Sequence, residues 1–499
     1  MTSDNFSNNS EPNDSEPNER LDSQQLPKIN LLTMFRLGLF QMGLGMMSLL
    51  TLGVLNRVMI DELKILPFVA ATAIAMHQFV APMRVWFGQM SDAKPFLGKH
   101  RSGYILIGAA LFTSVSFLAL QVVWQLGSSL QANGWNSPTY AWAIVLGFVF
   151  ALYGVALSAS STPFAALLVD VTDEDNRSKL VGVVWSMLMV GIVIGAMVSS
   201  RLLTTPEICG ADILAYNPTS VGGIADIAKL RASINPVFII MPATVFGLSV
   251  LATFGVEKKY SRYATRSAVA QREDQITLGK ALKVLTASRQ TSVFFSFLLV
   301  LTLSIFMQDA VLEPYGGEVF GMCIADTTRL NIPFGVGTLI GIGSSGFLLV
   351  PRFGKKKTIK FGCIAAAVSF LLITMSGFAV SRPLLMGGLL FFGLSSGAIT
   401  AGATSLMLDL TAAETAGTFI GAWGLAQAMS RGLATVMGGA VLNAGKFLVS
   451  GTIFAYSMVF GLEALGMLTA IWLLGRVNVK EFQSNTKGAI ASILENELD

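Results

Sequence analysis

Residues 103–126, GYILIGAALFTSVSFLALQVVWQL, run for 24 positions without an Asp, Glu, Lys or Arg. At the α-helical rise this length reaches about 36 Å, enough to cross a hydrocarbon core about 30 Å thick. The pattern repeats along the chain. Leu31–Leu55, Ile65–Met90, Gly103–Leu126, Tyr140–Val169, Leu180–Leu202 and Asn235–Val256 form a first set of six spans. Gln290–Met307, Ile332–Leu349, Thr358–Val380, Leu384–Leu408, Thr418–Asn443 and Ile453–Leu474 form a second. The whole chain is 53% hydrophobic and only 13% charged. Soluble chains carry about 25% charged residues, so there is too little charge here to clothe a folded surface in water. The predicted fold is an all-α polytopic membrane protein of about twelve transmembrane helices, which excludes a soluble enzyme.

The short links carry the sidedness. Lys94, Lys99, His100 and Arg101 lie between spans two and three, and Arg352, Lys355, Lys356, Lys357 and Lys360 lie between spans eight and nine. Lys258, Lys259, Arg262, Arg266, Arg272, Lys280, Lys283 and Arg289 lie in the middle link. With twelve spans all three fall on one side, which the positive-inside rule makes cytoplasmic, with both termini. The predicted organisation is a disordered polar tail (1–28), a six-helix bundle (29–256), a basic cytoplasmic linker (257–288), a second six-helix bundle (289–475) and a cytoplasmic tail (476–499). A formal charge of +4 is explained by these links, and with no basic soluble domain no nucleic-acid partner is expected. Cys209, Cys323 and Cys363 are far apart and odd in number, which predicts neither a disulfide framework nor a zinc site.

The two sets of six look like copies. Asp170-Val171-Thr172 after span four matches Asp409-Leu410-Thr411 after span ten, and each Asp is followed twelve residues later by glycine, Gly182 or Gly421. Gly98-Lys99-His100-Arg101 matches Gly354-Lys355-Lys356-Lys357. Asn56-Arg57 at the end of span one matches Gln308-Asp309 at the end of span seven. Paired six-helix repeats of this kind build secondary transporters. The segment Gly88-Gln89-Met90-Ser91-Asp92, followed by Gly98 and Arg101, resembles the loop between helices two and three of the major facilitator superfamily, with three extra residues between Asp92 and Gly98. That resemblance implies a latch in which Asp92 pairs with helix amides or a neighbouring basic residue.

A narrower resemblance covers Leu31 to Arg476. Leu55-Asn56-Arg57-Val58-Met59-Ile60, His77-Gln78-Phe79-Val80-Ala81-Pro82 and the segment from Gln308-Asp309 through Leu312-Glu313-Pro314-Tyr315-Gly316-Gly317 to Gly321 are similar to the PucC and LhaA type, the bacteriochlorophyll-delivery branch of that superfamily. The resemblance implies a membrane factor that binds or delivers chlorophyll or a related magnesium tetrapyrrole, with carotenoid or lipid as further ligands. Its implied partners are membrane lipid and chlorophyll-binding antenna or photosystem subunits. It further suggests a cyanobacterial homologue in the thylakoid membrane, with the plasma membrane as the alternative.

Few ionisable groups lie inside the spans, and those are the candidates for function. His77, halfway through span two, can donate a lone pair to chlorophyll magnesium, or can simply bond a backbone carbonyl. Glu313 is a second possible magnesium ligand. With Tyr315 and Glu318 it is expected on an ordered loop at the non-cytoplasmic mouth, because Pro314 should end a helix and Gly316-Gly317 should allow a tight turn, and Gln308 and Tyr315 are expected to join it in binding the pigment. Arg431, deep in span eleven, should face a cavity and meet Asp409, a headgroup or a pigment carboxylate. Asn56, Arg57 and Asp309 are expected at facing span ends, with Arg57 and Asp309 as a gate pair. Asp92, Arg101, Asp170, Arg177 and Asp409 are expected to cap and pair helices on the cytoplasmic side. Arg84 and Trp86 are expected to anchor at that interface. Two other functions compete with pigment delivery: a secondary transporter of a small solute by alternating access, and a pigment-free assembly scaffold.

Overall fold

The computed structural model describes residues 29–96, 98–172, 174–204, 227–261, 289–410 and 416–478. Twelve long helices follow one another: α1 (Leu31–Glu62), α2 (Pro67–Ala93), α3 (Ser102–Asn133), α4 (Ser137–Asp170), α5 (Glu174–Leu203) and α6 (Ile227–Tyr260). The second half holds α7 (Arg289–Phe306, tightening into a 3₁₀ turn, Met307–Ala310), α8 (Ile324–Phe353), α9 (Lys355–Phe378), α10 (Arg382–Leu410), α11 (Ala416–Leu448) and α12 (Thr452–Arg476). Eleven of them are long and apolar enough to cross a membrane, and α11 has the length. The protein is an integral, multi-spanning membrane protein. The expected 1–28 tail, and most of the 257–288 linker and the 476–499 tail, lie outside the described residues.

Packing repeats with an offset of six helices. In the first half α1 packs on α5 and α6, α2 on α4, and α3 on α4 and α6. In the second, α7 packs on α11 and α12, α8 on α10, and α9 on α10 and α12. The halves meet through α2 against α11 and α5 against α8, which exchange under the same offset. Small residues set these crossings: a Cβ at Gly45 would overlap the Leu188 carbonyl, and one at Gly191 would overlap Met42. Each half has its own apolar core, one around Phe112, Trp124 and Phe238, the other around Phe297, Phe370 and Tyr456. Large apolar side chains such as Phe148 and Phe347 point outward, as lipid rather than water requires.

Two local expectations fail. Leu312–Phe320 is a helix, not a loop. Pro314 sits in its first turn, where the missing N–H costs no intrahelical bond. Gly316 and Gly317 are helical because neighbours press on them. A Cβ at Gly316 would lie 2.9 Å from both Leu330 and Thr327, and one at Gly317 would overlap Arg57 and Asp61. The helix ends at Gly321, whose φ is +62. The second failure concerns Cys323, which is disulfide-bonded, whereas Cys363 is free and buried.

Candidate functional site

The polar residues inside the bundle gather in three layers. The first lies at the end away from the basic links. Here α1 winds as a π-helix over Leu49–Leu55 and again over Val58–Glu62, leaving Asn56 and Arg57 between the two widened segments. Asn56 Nδ2 donates to the Ala310 carbonyl at 2.8 Å, and Arg57 Nη2 donates to the Met322 carbonyl at 3.3 Å. Both bonds join the first half to the second. The charge of Arg57 is met on its own helix, by Asp61 one turn on and by Glu62 at 3.3 Å. This corrects the expected Arg57–Asp309 gate pair. The two residues do stand at facing span ends, but the i,i+4 carboxylate reaches Arg57 first.

Glu313 is only 4% exposed and accepts from Asn331 Nδ2 at 2.8 Å. It lies against α1, where a Cβ at Gly53 would come within 3.0 Å of Glu313 Oε1. Tyr315 donates its hydroxyl to the Ile373 carbonyl at 2.8 Å and packs among Phe320, Tyr456 and Phe460. Gln308 bonds its neighbour Asp309. Glu318 accepts from Lys446 at 2.8 Å and from Tyr456 at 2.9 Å. The expectation that Glu313, Tyr315 and Gln308 line a ligand site is therefore corrected: they sit in a closed seam between and beneath the halves, with their polar atoms directed into protein.

The second layer lies midway. The helix α2 is broken at Val80–Pro82, where the amides of Ala81, Met83 and Arg84 bond carbonyls three residues back. At this break Gly154 of α4 presses on His77 and Val80; a Cβ there would lie 2.6 Å from His77 Cα. His77 Nδ1 lies 2.5 Å from the Ile74 carbonyl, and its Nε2 lies 2.9 Å from Gln78 Nε2. A carbonyl only accepts, so Nδ1 carries the proton and the Nε2 lone pair faces outward, held by a side-chain amide. Tyr153 stands edge-on to the ring at 6.1 Å. Across the halves, α11 approaches closely at Gly432, where a Cβ would lie 3.2 Å from Gln78 and 3.0 Å from Phe79. The adjacent Arg431 stacks on Phe306, 3.8 Å from its centroid, and interacts electrostatically with Asp309, Arg84 and His77. Arg431 keeps exposed surface while these partners surround it, which leaves a cleft beside it between the halves. Arg84 turns inward to this cleft instead of anchoring at the interface, because the break at Pro82 redirects the helix that follows.

The third layer is the basic end. Arg101 joins Asp170 at 2.9 Å, Asp92 at 2.5 Å and Ser91 at 2.6 Å. Glu257, which the sequence did not single out, accepts from the backbone amides of His100, Arg101 and Ser102 at 2.8, 3.1 and 2.6 Å and caps α3. All these groups belong to the first half. The side chains of Arg177 and Asp409 lie outside the described residues. On this side the Met83–Ala93 segment packs on α4, and the large contacts between halves lie nearer the opposite end.

Sequence reading also missed Glu463, the only acid in the last span. It is fully buried in α12, and neither carboxylate oxygen makes a well-formed hydrogen bond, although the Gln308 amide faces it. An unpaired buried charge is costly, whereas an isosteric amide is cheaper. Glu463→Gln is expected to leave the fold intact and to be neutral or stabilising by about 1–3 kcal/mol. A melting temperature in detergent clearly below wild type would show that the carboxylate is paired.

Solved transporters share this architecture. The nucleoside transporter NupG, in mutant form, superposes with a TM-score of 0.64 at 12% identity, covering 89% of this chain and 99% of its own. A bacterial homologue of the iron transporter ferroportin in an inward-facing state gives 0.62 at 14% identity, covering 90% of this chain and 99% of its own. These define the class, a membrane protein of the major facilitator fold. Within that class, a family model described as PUCC protein matches residues 54–482, and the chain belongs to that family. Protein PucC of Rhodobacter capsulatus is 29% identical over 432 residues, covering 84% of this chain and 86% of that protein. A Rhodobacter capsulatus protein named bacteriochlorophyll synthase 44.5 kDa chain is 26% identical over 432 residues, covering 84% of this chain and 89% of its own. Another PucC, from Rhodovulum sulfidophilum, is 27% identical over 400 residues, covering 79% of this chain and 81% of its own. These organisms lend no support to the expected cyanobacterial source and thylakoid location.

Proposed function

We propose that this protein binds a chlorophyll-type pigment in the cleft between its halves and hands it to newly made antenna or photosystem subunits, without turnover chemistry. The family match and the names of the relatives support the pigment. The observation that carries the reading is His77. Among the described residues no group of three or more His, Cys, Asp or Glu is placed to hold a free metal ion. A magnesium chlorin would bring its metal already held in the ring and would need one donor from the protein, which the His77 imidazole could supply. The Nδ1 bond to the Ile74 carbonyl orients the imidazole and leaves Nε2 for that role, as a carbonyl behind the ring does for metal-bound histidines. Gln78 would be displaced on loading. Tyr153, Phe79 and Phe306 supply apolar and aromatic surface near the ring.

Loading would take place from the basic side, which the positive-inside rule makes cytoplasmic, with both termini there. The disulfide-bonded Cys323 near the opposite end suits an oxidising compartment on that side. The Asn56 and Arg57 bonds would keep the far mouth shut while pigment is held.

Gentle purification followed by absorption spectroscopy tests the reading. The wild-type protein is expected to carry about one magnesium chlorin per chain. His77→Ala should reduce this about tenfold at unchanged melting temperature, while Glu313→Ala should act on stability before pigment content. No pigment under conditions that retain it in other chlorophyll proteins would reject pigment binding.

A further inference from the structure

We propose that the cleft takes its pigment as the free acid, with the propionate carboxylate held between Arg84 and Arg431. The inference rests on the pigment-binding reading and names the form of the cargo.

The argument begins with a charge count. Arg84 of α2 and Arg431 of α11 come from different halves and stand close enough to interact electrostatically. Among the described residues the acid that interacts with Arg431 is Asp309, which already accepts from Gln308, and no acid is seen to act on Arg84. Two guanidiniums against one carboxylate leave a positive charge inside a membrane bundle, an arrangement that is costly unless an anion completes it.

The donors are also free to receive one. Among the described residues, Arg84 Nε is buried with no hydrogen-bond partner, and neither guanidinium makes an ion pair within 4.0 Å. Arg431 lies with its guanidinium carbon over the Phe306 ring, a contact that uses the flat face of the group and leaves its N–H edge for an oxyanion. The His77 ring, whose Nε2 would reach magnesium, interacts electrostatically with both arginines. One ligand carrying both a metal-centred ring and a short acidic arm satisfies all three side chains. An esterified pigment offers only a carbonyl oxygen and leaves the extra charge unmet.

The test compares magnesium chlorophyllide with its methyl ester, which share a ring and differ in charge, by titrating the full chain in neutral detergent and following the pigment absorption. Wild type should bind the acid about tenfold more tightly than the ester, the value of one charge-assisted bond. Arg84→Gln and Arg431→Gln should each bring the ratio close to one without weakening the ester, and Arg431→Lys should keep part of the preference. His77→Ala should weaken both ligands equally and leave the ratio unchanged. Equal binding of acid and ester by wild type would overturn the free-acid inference while leaving pigment binding intact; binding of neither would remove both. A preference that survives in both glutamine variants, or one abolished by added phosphatidylglycerol, would also overturn it. The latter result would assign the arginine pair to a lipid phosphate.

Discussion

Gly317→Ala is expected to push the two halves apart at the closed mouth and to lower stability by at least about 3 kcal/mol. The added methyl would occupy the space of the Arg57 guanidinium and the Asp61 carboxylate. Neither can retreat cheaply, since Arg57 is 4% exposed and also holds the Met322 carbonyl across the seam. Overpacking alone costs about 1–3 kcal/mol, and disturbing a buried ion pair costs about 3–5 kcal/mol more. The helix Leu312–Phe320 must therefore lift from α1. Spin labels at the exposed residues Lys64 and Arg329 should report a longer and broader distance distribution, together with a lower melting temperature. Gly343→Ala, where a Cβ meets nothing within 4 Å, is the control and should be neutral or gain about 0.5–1 kcal/mol. A wild-type distance distribution in Gly317→Ala would show that the seam does not depend on this contact.

Arg101→Ala should cost about 3–5 kcal/mol, because it takes the guanidinium away from a buried carboxylate. The side chains of Arg101 and Asp170 are 6% and 7% exposed, while Asp92 is 56% exposed and keeps its water. The loss should therefore fall on Asp170. Adding Asp170→Asn should recover much of the stability, since removing both partners leaves no unpaired charge. Arg101→Lys keeps the charge but loses the fork that reaches Asp170, Asp92 and Ser91 together, so it should fall between the two. Unfolding in detergent, with hydrogen exchange at the start of α3, measures each step. A loss below about 1 kcal/mol for Arg101→Ala would place this cluster among ordinary surface ion pairs.

Some of the site was legible because its residues break a local rule. A histidine at position 77 and an arginine at position 431 stand out in apolar spans, and the cost of charge in a bilayer already directs Arg431 to a cleft. Glu463 carried the same signal as the lone acid of its span. What remained hidden was the choice of partner. Arg57 had a carboxylate one helical turn away at Asp61 and another across the halves at Asp309, and only packing decided between them. Tyr315 belongs to an aromatic cluster drawn from two helices distant in sequence, so no local pattern separates it from a ligand-facing residue. Gly316 and Gly317 weaken a helix in isolation, yet here Gly317 lets the helix lie against α1 and Gly316 lets it lie against Thr327 and Leu330.

The sequence by itself determined that the chain is a series of oily segments long enough to cross a bilayer, because a hydrocarbon core tests each segment separately for length and charge. It determined too which few polar residues must be accommodated inside. Only the tertiary structure decided which of them close the far mouth, which face the cleft and which are absorbed into a core. Those outcomes depend on distances between helices, set by where small residues allow backbones to touch and where α2 breaks at Pro82.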